Sequence, residues 1–82
     1  MADEPTESTV LLDTVEPGIT RITLNRPSSL NSMNRQLIDE LHAAFDVVDA
    51  DPDVRVVLLT GAGRGFCAGL DLRDPTLLMG RN

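Results

Sequence analysis

Val54-Arg55-Val56-Val57-Leu58-Leu59-Thr60 is a nearly unbroken apolar run that ends in Gly61-Ala62-Gly63-Arg64-Gly65-Phe66-Cys67-Ala68-Gly69-Leu70-Asp71-Leu72-Arg73. A short apolar run rich in β-branched residues reads as a strand covered on both faces, the kind found mostly in parallel or mixed sheets with helices. Gly61, Gly63, Gly65 and Gly69 follow it within nine residues. Glycines beside a strand end permit positive φ and let a ligand approach main-chain N–H groups closely. The stretch is a strand running into a loop suited to an anionic or polarised oxygen.

Toward the N-terminus, Asn34 to Ala50 predicts a helix, because Leu37, Leu41, Ala44, Phe45 and Val48 recur at spacings of three and four on one face. Asn34 or Ser32 suits its N-cap, and Asp51-Pro52 ends it. The segment from Asn25 to Asn34 is rich in turn formers and reads as a connecting loop. Before it, Val10 to Val15 and Ile19 to Leu24 are β-branched runs around Glu16-Pro17-Gly18, a hairpin signal. The result is a ββαβ unit over residues 9–82, an α/β fold, preceded by an acidic tail over residues 1–8 that reads as disordered.

Composition removes several functions. Thirteen acidic residues against seven basic ones give a net charge of −6, which argues against a nucleic-acid partner and against an anionic membrane surface. All seven basic residues are arginine, so a Walker-type lysine, a Schiff base and a lysine general base are excluded. The single cysteine, Cys67, forms no internal disulfide, and no stretch approaches the roughly 18 to 20 apolar residues of a membrane span. A soluble, cytoplasmic setting is the expectation. At 82 residues the chain has one small domain at most, whose stability calls for outside help.

The blocks Ile22-Thr23-Leu24-Asn25-Arg26-Pro27, Leu30-Asn31-Ser32-Met33-Asn34, Leu37 to Leu41, Asp51-Pro52-Asp53-Val54-Arg55 and Gly65-Phe66-Cys67-Ala68-Gly69-Leu70-Asp71-Leu72 occur in an order that resembles the crotonase superfamily, the enoyl-CoA hydratases and isomerases. The resemblance runs from about Val10 to Arg73. It implies the N-terminal ββαβ unit of a crotonase-like ββα spiral fold, an incomplete domain of a longer architecture. It implies an acyl-CoA thioester as ligand, with coenzyme A present as part of the substrate and no separate cofactor or metal. It also implies that the Leu70 backbone N–H is an oxyanion-hole donor, and that Arg26, Ser28, Leu30, Ala68, Gly69, Asp71, Leu72 and Arg73 line the substrate site. The implied reaction is hydration of a trans-2-enoyl-CoA in fatty-acid metabolism, in a trimer or hexamer. The family's second oxyanion donor and its catalytic glutamates lie downstream of the matched region, and Glu16 and Glu40 do not occupy their positions. The isolated 82 residues are therefore expected to be inactive. The alternative from a different class is a truncated, non-catalytic interaction module that associates with itself or with a longer homologue.

Other residues have plainer readings beside sharper ones. A dinucleotide fingerprint would need glycine where Phe66 stands. Cys67 reads as a packing residue rather than a nucleophile, and His42, among Asp39, Asp46 and Asp49, as part of a solvated helix face. If Leu70-Asp71-Leu72-Arg73 begins a helical turn, its dipole adds to the loop's field and Asp71 holds the first N–H groups. Arg73 leaves two partners open, a coenzyme A phosphate or solvent.

Overall fold

The computed structural model describes residues 8–79. Of the expected tail only Ser8 falls within these residues, where its carbonyl accepts a hydrogen bond from Asn25 Nδ2 at 3.2 Å. The element order is β1 (Val10–Glu16), β2 (Ile19–Leu24), a 3-10 turn (Pro27–Ser29), α1 (Arg35–Asp49), β3 (Val56–Gly61) and α2 (Pro75–Met79). Pro17-Gly18 turns the hairpin, with Gly18 at φ 85°, and a bulge between Thr14 and Glu16 closes the register. β2 is the central strand of three, antiparallel to β1 and parallel to β3, so the sheet is mixed, as the apolar run implied.

Register fixes which side chains meet the helix. Ile22 is paired with Leu12 on one side and Leu59 on the other, and Leu24 with Val10 and Gly61. Ile22, Leu24, Leu37 and Ala44 are the buried apolar core among the described residues. α1 lies against β1 and β2. Asn34 caps it, its side chain accepting from the Leu37 N–H at 2.9 Å, and this leaves one fewer orphan donor at the first turn. Glu40 then ties the helix to the start of β1, accepting from Thr9 N at 2.7 Å and Thr9 Oγ1 at 3.1 Å.

Three expectations need correction. β3 begins at Val56 rather than Val54, because Val54 N–H is spent on a turn bond to the Asp51 carbonyl. The strand is also not covered on both faces: Val56, Leu58 and Leu59 are exposed, since the helix spans the β1–β2 side and stops short of β3. Phe45, expected in the core stripe, is exposed. No helix among the described residues is long and apolar enough to cross a membrane.

Candidate functional site

The glycine-rich loop leaves β3 beside the end of β2, where Ala62 N–H donates to the Leu24 carbonyl at 2.8 Å and extends the parallel ladder by one bond. The loop then folds onto the segment Arg26–Met33. A Cβ on Gly61 would collide with the Phe66 carbonyl oxygen and stand 2.7 Å from Asn31 Nδ2. Gly63, at φ 81°, packs where a Cβ would meet Pro27 Cβ at 2.8 Å. These two glycines are required by close approach, the second also by its backbone conformation.

The last glycine differs. Gly69 has φ 103°, and a Cβ there would meet nothing within 4 Å. Its carbonyl accepts from Met33 N at 2.8 Å, and Asp71 N donates to the Met33 carbonyl at 2.9 Å. These two bonds form an isolated parallel bridge between Met33 and Leu70. In such a bridge the central residue's own N–H and C=O face away from the partner strand. The Leu70 N–H accordingly has no hydrogen-bond partner among the described residues, and the residue is 58% exposed.

The expected helical turn at Leu70–Arg73 is not formed. Leu70 is extended in the bridge, Leu72 and Arg73 make a turn, and the helix starts only at Pro75. Asp71 organises that turn: its Oδ1 accepts from Arg73 N and from Arg73 Nε, each at 3.0 Å. Its Oδ2 accepts from an Arg73 guanidinium nitrogen at 3.2 Å and from Arg26 at 3.3 Å. Arg73's guanidinium and main-chain N–H, aided by Arg26, lower the Asp71 carboxyl from 3.8 to about 2. Arg73 is otherwise largely in solvent, its side chain 75% exposed.

Arg26 turns inward, its side chain 18% exposed, and reaches the Ser32 carbonyl at 2.6 Å as well as Asp71. Together with Ser29, Arg73 and Asp74 these residues wall an open groove of about 490 Å³. Ser28, Leu30, Ala68 and Leu72 of the expected site are on the surface around the loop, Leu72 being 73% exposed. Ala68 N–H donates to the Leu30 carbonyl at 3.0 Å, so the two sides of the expected site are in direct contact.

One residue was missed by sequence reasoning. Asn31 is completely buried at φ 58°, and its side chain bonds Arg26 N at 2.7 Å, the Ala62 carbonyl at 2.9 Å and the Gly65 carbonyl at 2.7 Å. In sequence it is one turn former among many, and two of its three partners lie 31 and 34 residues away.

Known proteins match this arrangement. The sequence profile described as enoyl-CoA hydratase/isomerase matches residues 14–80. The chain belongs to the enoyl-CoA hydratase/isomerase family. It is 50% identical over 64 residues to the 1,2-epoxyphenylacetyl-CoA isomerase of Escherichia coli K12, covering 78% of this chain and 24% of that protein. It is 53% identical over 55 residues to the probable peroxisomal enoyl-CoA hydratase 1 of Arabidopsis thaliana, covering 67% of this chain and 21% of that one. Among solved structures, an enoyl-CoA hydratase of Mycobacterium tuberculosis H37Rv superposes with a TM-score of 0.73 at 47% identity, over 78% of this chain and 28% of that chain. An enoyl-CoA hydratase of Mycobacterium smegmatis gives 0.77 at 40% identity, over 83% and 31%. The fold is thus the crotonase α/β unit that the resemblance implied. This chain spans only about a quarter of the length of these curated relatives.

Proposed function

We propose that this chain supplies the first half of an acyl-CoA thioester site, in which the Leu70 N–H binds the thioester carbonyl oxygen and stabilises the enolate that forms on it. The observation that carries this reading is the Leu70 N–H without a partner among the described residues, held in place by the Met33 bridge beside a glycine whose side-chain position is open. Adding water across a conjugated thioester, or moving a proton beside one, puts negative charge on that oxygen. A preorganised N–H donor is then worth roughly 3 kcal/mol. The named relatives include both hydratases and an isomerase, each named for a coenzyme A thioester. We take hydration of a trans-2-enoyl-CoA, in cytoplasmic fatty-acid metabolism and in a homo-oligomer, as the reaction.

The acyl and coenzyme A portions would lie along Arg26, Ser28, Leu30, Ala68, Gly69, Asp71, Leu72 and Arg73. The described carboxylates nearest the loop do not suit proton abstraction. Asp71 at about 2 is too weak a base, and Asp74 is lowered by the Thr76 hydroxyl and the Arg35 N–H that bond it. Glu40 is also committed: burial raises it, but hydrogen bonds from Gln36 and Thr9 outweigh burial and lower it on balance.

Calorimetric titration with an unreactive acyl-CoA thioester analogue tests the proposal. Gly69→Val puts a side chain into the open space beside the donor and strains a backbone at φ 103°. It should weaken binding by roughly tenfold or more, the scale of one lost hydrogen bond to a charged or polarised oxygen. Cys67→Ser should change affinity little. Equal losses in the two variants, or a larger one at Cys67, would sink the oxyanion reading and point to thiol chemistry.

A further inference from the structure

We infer that Asn31 is a positioning residue for the Leu70 N–H: its buried carboxamide sets the path of the first half of the glycine loop, which leads into the Met33 bridge that orients the donor. This rests on the oxyanion reading above. A loop with glycines at 61, 63, 65 and 69 has more conformational freedom to lose than any other composition, so its path must be imposed from outside. The imposition comes from three residues of one short segment, Leu30, Asn31 and Met33. Asn31 Nδ2 uses both of its hydrogens on the Ala62 and Gly65 carbonyls, and its Oδ1 accepts from Arg26 N. Just beyond, the Leu30 carbonyl takes Ala68 N–H, and Met33 holds Gly69 and Asp71. The side chain therefore fixes the first half of the loop, and the backbone on either side of it fixes the second half up to Leu70.

The residue type follows from the task. The position needs two donors and one acceptor on a short side chain, and a backbone at φ 58°, which Asn tolerates better than other non-glycine residues. An ionised Asp keeps the acceptor for Arg26 N but places negative oxygen against two carbonyls. Gly61 is the other half of the lock, since any Cβ there would stand 2.7 Å from Asn31 Nδ2.

The test combines peptide-level hydrogen exchange on the full chain with the ¹³C resonance of a carbonyl-labelled acyl-CoA thioester bound to it. Asn31→Ala and Asn31→Asp should each speed exchange in segment 66–73 by roughly tenfold over the rest of the chain and return the thioester resonance toward its free position. Ile22→Val, a core truncation that lowers overall stability without touching the loop, should leave both readouts in place. Gly61→Ala should also speed exchange in this segment, because a Cβ there would press on the Phe66 and Gly65 carbonyls as well as on Asn31 Nδ2. Exchange that rises evenly along the chain in the Asn31 variants would overturn the assignment, as would a wild-type segment that already exchanges like a free peptide. A wild-type chain that protects this segment yet leaves the thioester resonance unshifted would refute the oxyanion reading, while the exchange arm still decides what Asn31 positions.

Discussion

At Asp71 one carboxylate holds the turn that follows the proposed donor, and it does so through charge. Its side chain is 8% exposed and faces Arg26 and Arg73, so the ionised form is favoured and the group titrates at about 2 instead of 3.8. For an acid lowered in the folded state, the stabilisation is complete above the ordinary value and is lost as pH falls through the folded one. Stability of the loop should therefore drop between about pH 4 and about pH 2, with both arginines losing their partner on the way. Asp71→Asn should melt lower than wild type at neutral pH and show a shallower decline on acidification. It should not be flat, because Asp13, Glu40 and Asp74 are also lowered by their hydrogen bonds. Thermal melts at a series of pH values decide it, and identical slopes for the two chains would remove Asp71 from the account.

At the scale of elements, α1 is the piece that aligns the core with the loop. Its first turn is satisfied from two directions: Leu37 N–H by the Asn34 side chain, and Arg35 N–H by Asp74 Oδ2 at 2.7 Å, from the residue just before α2. Asn34→Ala should cost about 1 kcal/mol of stability, while Asn34→Asp, which keeps an acceptor, should cost little. For a domain of this size that loss moves a melting midpoint by about 4–8 °C, and a shift below the scatter of the measurement would mean that Asp74 carries the cap alone. The helix, the hairpin and β3 were legible because each advertises itself over consecutive residues, through spacing of Leu37, Leu41 and Ala44 or through the β-branched runs. What stayed hidden was non-local. Nothing near Asn31 announces that its carboxamide meets Ala62 and Gly65, nor that Leu30 and Asn31 adopt φ of 53° and 58°. The start of α2 was legible but overlooked: Asp74-Pro75 is a capping residue followed by proline at the first helical position, and Asp74 Oδ1 takes Thr76 N–H at 2.9 Å. Leu70 was assigned by resemblance alone, and only the bridge to Met33 explains which way its N–H faces.

The described residues leave much of the sheet without a covering layer. Among the described residues the apolar core is Ile22, Leu24, Leu37 and Ala44, whereas Leu11, Val15, Phe45, Val56, Leu58, Phe66 and Leu70 are exposed. β1 and β3 are both sheet edges, and β3 offers an apolar strand with one unpaired side. Exposed apolar area and open edges of this kind drive association. The purified 82-residue chain should therefore elute as oligomers or aggregates whose mass by light scattering exceeds the 8.9 kDa monomer. It should also be silent when crotonyl-CoA hydration is followed by loss of enoyl-thioester absorbance. The described carboxylates around the loop are tied to arginines, hydroxyls and N–H groups, which leaves them poor bases for the proton step. Association without turnover is the expected pair of results. A monomer that melts cooperatively and hydrates crotonyl-CoA above background would contradict both halves. It would require Glu16 at the end of β1, Glu40 on α1 or exposed His42 to handle the proton, and substitution of each in turn would then show which one does.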